Sequence, residues 1–186
     1  GNVFITTTAQ NNTAGSTTLR AGTTISTSVN VQALNNLTLE TASVIGGDLT
    51  AGDNLTINAA ATLSTAARTF TSTNGDINLN ADVSGAEDLN LSATHGTIYV
   101  TTIGVGGAPV GVLVMSSDAA QLDGNINATS VTTTAVGLTT LTNDLTITAT
   151  GAGAAISLGA LDGSKALTLT ASNATGNIVL NNADIG

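Results

Sequence analysis

Between Asp144 and Gly186 one short unit recurs four times in register, at Leu145-Thr146-Ile147, Ile156-Ser157-Leu158, Leu167-Thr168-Leu169 and Ile178-Val179-Leu180, each beginning eleven residues after the last. An apolar, middle, apolar triplet describes a strand whose first and third side chains point one way and whose middle one points the other. The segments between triplets, such as Gly159-Ala160-Leu161-Asp162-Gly163, are small or turn-prone and let the chain bend. Self-similarity at a short fixed period predicts a stacked solenoid.

Geometry sets the size of one coil. Eleven residues extend at most about 36 Å, too short a contour to close around an interior filled with Leu and Ile. Eleven residues therefore predict one side, and two sides give about 22 residues per coil, or about eight coils stacked into a rod roughly 40 Å long. The separations Leu55 to Ile77 and Leu145 to Leu167 match this length, whereas Leu37 to Leu55 is shorter.

Composition supports an all-β chain. Charged residues make up 8% and aromatics 2%, while 41% of residues are hydrophobic and recur periodically, which argues against disorder. Thr and β-branched residues favour strands, and good helix formers are scarce. The net charge is −9 with Arg20, Arg68 and Lys165 as the only basic residues, so no phosphate-neutralising groove can be assembled, which excludes nucleic acid as a partner. No apolar run approaches the roughly 20 residues of a spanning helix. Without cysteine, a disulfide framework and thiolate metal sites are excluded.

The register of Val3-Phe4-Ile5 after Gly1-Asn2 resembles that of Ile178 after Gly176-Asn177, so the repeat is expected to span residues 1–186 as a single solenoid segment, a fragment of a longer repetitive chain. From Thr6 to Asn30 the pattern is looser, with Leu19, Ile25, Val29 and Val31 as inward candidates. Sharper units follow at Leu37, Leu55, Ile77, Leu89 and Ile98, each preceded by a polar pair suited to a corner, where Asn or Asp can bond its own nearby backbone. Gly106 to Pro109 is predicted to be a loop before the buried run Val110 to Met115, either a corner insertion or a binding loop. The inward ladder comprises Leu55, Ile57, Ile77, Leu79, Leu89, Leu91, Leu145, Ile147, Ile156, Leu158, Leu167, Leu169, Ile178 and Leu180.

At Asn36-Leu37-Thr38-Leu39, Asn54-Leu55-Thr56-Ile57, Gly75-Asp76-Ile77-Asn78-Leu79 and Ala166-Leu167-Thr168-Leu169-Thr170-Ala171 the chain resembles the repetitive regions of filamentous haemagglutinin-like adhesins, giant bacterial surface proteins. The resemblance implies a right-handed parallel β-helix, export to the cell surface or beyond, and a role as stalk or fibre.

Chemistry-bearing residues are few. Polysaccharide-cleaving β-helices use clustered carboxylates with a nearby cation; Asp82, Glu87 and Asp88, with His95 and Tyr99 further on, are the closest set, and they have no basic partner in sequence. The expectation is a non-enzymatic chain. Gly46-Gly47-Asp48 and Gly52-Asp53 contain fragments of a calcium-binding repeat without its tandem recurrence, leaving Asp48 and Asp53 as weak calcium candidates, and no other cofactor is expected. Thr132 to Thr134 and Thr139 to Thr142 suggest an interrupted Thr grid. Asn-x-Thr/Ser sequences at Asn11, Asn36, Asn54, Asn90, Asn127 and Asn173 are expected from composition alone. The sequence therefore predicts a structural segment of an extracellular bacterial fibre or adhesin, packing end to end or laterally against further repeats or copies of itself and meeting a host or neighbouring-cell surface. The alternative is an ice- or carbohydrate-binding module with a flat Thr/Asn-rich face.

Overall fold

In the computed structural model, residues 1–5, 9–11, 15–134, 137–173 and 175–181 are described, and side chains at 4, 5 and 9–11, Phe4 and the Asn11 sequon among them, lie outside the description. The chain is a parallel β-solenoid of about eight turns spaced about 21 residues apart, with no helix among the described residues.

Each coil has three sides, not two. The first side stacks Val3–Ile5, Ile25–Thr27, Ser43–Ile45, Ala61–Leu63 and Val83–Ser84, continues through a bridge at Ile103 into Ile126–Thr133, and runs on through Leu145–Ala149 to Leu167–Ala171. The second carries Ala9–Asn11, Val31–Ala33, Leu49–Ala51 and Arg68–Ser72, and its later members include Ala155–Leu158 and Asn177–Leu180. The third carries Thr17–Leu19, Leu37–Leu39, Leu55–Ile57 and Ile77–Leu79, and later Leu138–Leu141 and Ala160–Asp162. Three long strands turn corners: Leu89–Val100 and Val110–Leu122 serve both second and third sides, with a register shift between Ala93 and Thr97, and Ile126–Thr133 leaves the first side to enter the second, where Val131 lies between Leu113 and Ile156. Every pairing is parallel, and one coil follows the last after 18 residues at Ile25 and Ser43 but 23 at Ile103 and Ile126.

The eleven-residue repeat is thus an alternation of first and second sides, with the third hidden in its spacer. Gly159 to Gly163, which the sequence presents as a turn, contains the strand Ala160–Asp162, whose single buried apolar residue is Leu161. From Ile25 to Leu63 the underlying period is six residues, with strands beginning at 25, 31, 37, 43, 49, 55 and 61.

Most parallel sheets are covered on both faces. Here the inner face is buried and the outer face meets solvent, so the strands alternate between buried and accessible residues, as in Leu37–Leu39 and Leu55–Ile57. A single apolar cluster runs from Ile25 to Leu161, with Phe70 fully buried in register between Leu49 and Leu91. Ten of the predicted ladder residues, from Leu55 to Leu158, are buried. The other four depart from the expectation. Leu167 and Leu169 are only partly buried, and Ile178 and Leu180 are 42% and 36% exposed. Asn177–Leu180 pairs only with Ala155–Leu158 among the described strands, and no other described strand covers it. Val29 also departs, lying half-buried in a bend between strands.

Candidate functional site

The polar groups concentrate at the corners. Around the corner into the third side, Asn36 Oδ1 accepts the Asn54 N–H at 3.0 Å, Asn54 Oδ1 accepts the Asp76 N–H at 2.8 Å, and Asp76 Oδ1 accepts the Thr97 N–H at 2.8 Å. Into the second side, Asn30 Oδ1 holds the Asp48 N–H, Asp48 Oδ1 the Thr69 N–H and Asp88 Oδ1 the Val112 N–H. Into the first, Asp82 uses both carboxylate oxygens on Val105 and Gly106, each at 3.0 Å, while Asn125 and Asp144 hold Thr146 and Ala166. The sequence marks Asn36, Asp48, Asn54, Asp76 and Asp88 as corner residues, the pairs before each triplet bonding their own local backbone, and does not so mark Asn30, Asp82, Asn125 or Asp144. Their partners instead lie one coil on, 18 to 24 residues away. Physically, the chain leaves strand geometry at a corner, and a side-chain oxygen takes an amide that the ladder would otherwise leave without an acceptor.

The calcium candidates resolve into this scheme. Asp48 spends one carboxylate oxygen on the Thr69 amide, and the Arg68 guanidinium lies 3.9 Å from the same atom. Asp53 contributes backbone atoms: its N–H donates to Asn35 and its carbonyl accepts the Ser72 hydroxyl. Among the described residues no group of three or more His, Asp or Glu side chains could hold a metal ion. The glycines beside these aspartates have a steric reason: a Cβ at Gly47 would sit 1.9 Å from the Val29 carbonyl oxygen, and one at Gly52 1.7 Å from that of Leu34. Coils stack backbone on backbone there, and only glycine lets them approach.

Nor does the fold gather the carboxylate set. Asp82 precedes a first-side strand, Glu87 and Asp88 precede a second-side strand, His95 stands at the bend into the third side and Tyr99 projects from the third side. They are spread around the coil. Asp82 and Asp88 are occupied by amides, and the His95 Nδ1 lies 3.1 Å from the Thr73 carbonyl oxygen, so it carries the proton that it donates there.

The Thr runs do not form a continuous outward grid. Thr133 and Thr139 point inward and are buried, because alternate residues of a strand face opposite ways. The middle residues of the triplets form a short column, with Thr18, Thr38 and Thr56 stacked in register on the third side before Asn78, Tyr99 and Gln121 interrupt the threonines, as the sequence predicts. Beside it runs an amide ladder in which Asn80 donates to Asn58 at 2.8 Å and Asn58 to Glu40 at 3.2 Å. The Gly106 to Pro109 segment is a corner insertion clasped by Asp82 and by a Gly85 N–H to Ala108 carbonyl bond, with Val105 49% exposed at its start. An open pocket lined by Leu141, Leu161, Leu167, Leu169, Leu180, Lys165 and neighbours lies beside the last described strands.

Compared with protein-family models, with curated proteins and with solved structures, the chain shows no match.

Proposed function

We propose that the chain is a structural, non-enzymatic segment of an extracellular bacterial fibre or adhesin. The observation that carries this is the parallel stacking of coil on coil along all three sides, in which corner Asn and Asp side chains tie successive coils together. Such a body transmits position and force along its axis, each coil contacting only its neighbours. The weakly charged Thr/Asn surface favours packing against further repeats or copies of itself, and a host or neighbouring-cell surface is the expected distal partner. The adhesin-like Leu-Thr-Leu units point the same way. Electron microscopy of the native material tests the assignment: filaments or extended rods are expected, and dispersed globular particles would overturn it.

A second reading, a module that binds ice or carbohydrate on a flat face, is favoured by the in-register Thr18, Thr38 and Thr56 column. Thermal hysteresis and glycan-array binding of the purified chain separate it from the first.

A further inference from the structure

Three sequences in the chain invite spontaneous backbone rearrangement, Asn74-Gly75, Asp123-Gly124 and Asp162-Gly163. In each, the glycine amide nitrogen can attack the preceding side-chain carbonyl carbon to close a five-membered succinimide, and the absence of a glycine side chain lowers the steric barrier. By sequence alone Asn74 should react first, because ammonia leaves an amide more readily than water leaves a carboxyl group.

The structure reverses that order. Asn74 donates both its backbone N–H and its Nδ2 to the Gly52 carbonyl at 3.0 Å, while the would-be nucleophile, the Gly75 N–H, donates to Ser72 Oγ at 3.2 Å. Both reacting partners are held by other groups. The Asp123 side chain is also held, its Oδ1 accepting from Gln121 Nε2 at 3.0 Å and from the Thr142 hydroxyl, with Asn143 on its backbone carbonyl. Asp162 differs: it is exposed at the end of its strand, and its Oδ1 accepts the N–H of Gly163 itself at 2.7 Å. The carboxyl group is folded onto the one nitrogen that can attack it, and Gly163 holds a φ of 125° that a side chain would oppose.

We propose that Asp162-Gly163 is the site at which the folded chain forms isoaspartate, ahead of Asn74. In the first step the Gly163 nitrogen bonds to the side-chain carbonyl carbon of the protonated Asp162 carboxyl, and the carboxyl hydroxyl departs with the Gly163 amide proton as water. In the second, water opens the succinimide at the carbonyl of the original main chain, so that the backbone now runs through the side-chain carbon. No oxidant or cofactor enters, and the net composition is unchanged. The product lengthens the main chain by one carbon where it stacks on the coil beneath, since a Cβ at Gly163 would already lie 2.5 Å from the Leu141 carbonyl oxygen.

The test is prolonged incubation of the purified chain at neutral pH in ¹⁸O-labelled water, folded and in urea, followed by digestion and isoaspartate-resolving mass spectrometry. In the folded chain, isoaspartate at 162 should exceed that at 74 and 123 by at least about tenfold, because the latter two must first open locally. In urea Asn74 should lead. Asp162→Glu, which keeps the charge but cannot close a five-membered ring, should abolish the product at 162 while leaving the circular dichroism spectrum unchanged. Asn74 leading in the folded chain, or 162 leading equally in urea, would overturn the proposal.

Discussion

At the scale of single residues, the corner acceptors and the inward hydroxyls make opposite demands. Asp82 satisfies two exposed loop amides at once, so Asp82→Ala hands both to water and is expected to cost about 0.5–1.5 kcal/mol in urea unfolding. Asp82→Asn keeps one acceptor and should cost less. Thr27 is buried on the first side with no partner for its hydroxyl among the described residues. Thr27→Val keeps the β-branched shape and removes that unpaired group, so it should stabilise the chain by about 1 kcal/mol in the same assay. The inward polar and small positions also explain what the sequence concealed. Between Ile25 and Leu63 the interior is built from Thr27, Ala33, Ser43, Ala51 and Ala61 as well as Leu and Ile, which blurs the six-residue period to an eye tuned to apolar pairs. The Leu-Thr-Leu units stood out because both of their inward places are large. The polar pairs before Leu37, Leu55, Ile77 and Leu89 were legible as corners, but their partners were not, since a bond to a residue one coil away leaves no local trace.

At the scale of strands and coils, what is conserved from turn to turn is the alignment of sides, while corners absorb the changes in length. Ile25, Ser43 and Ala61 are aligned one above another, so Ser43 to Ala60 is one complete coil of 18 residues. Deleting that segment places Ala61 directly on Ile25, and lets Asn36 receive the Asp76 amide that Asn54 now holds. The shortened chain should fold with the same circular dichroism signature and a urea m-value lower by roughly one-tenth, in proportion to the surface lost. Deleting the eleven residues from Thr50 to Ala60 should abolish cooperative unfolding, because it sets first sides against second sides. The third side was legible at Leu37, Leu55 and Ile77, but in the last coils it went unread for a related reason: Ala160–Asp162 contributes only Leu161 to the interior and lies between glycines, the residues that otherwise mark a bend.

At the scale of the whole molecule, the ladder hydrogen bonds join one coil to the next, so they lie along the rod while the strands lie across it. A pull on the two ends therefore does not shear a whole sheet at once; it peels the outermost coil from its neighbour and leaves the rest intact. Each release frees about 21 residues, or about 70 Å of slack chain. A single-molecule stretching trace should accordingly show a train of near-equal extensions, and a single all-or-none rupture would contradict it. A rod built this way yields in regular increments, dissipating a sudden load coil by coil instead of failing at its weakest bond.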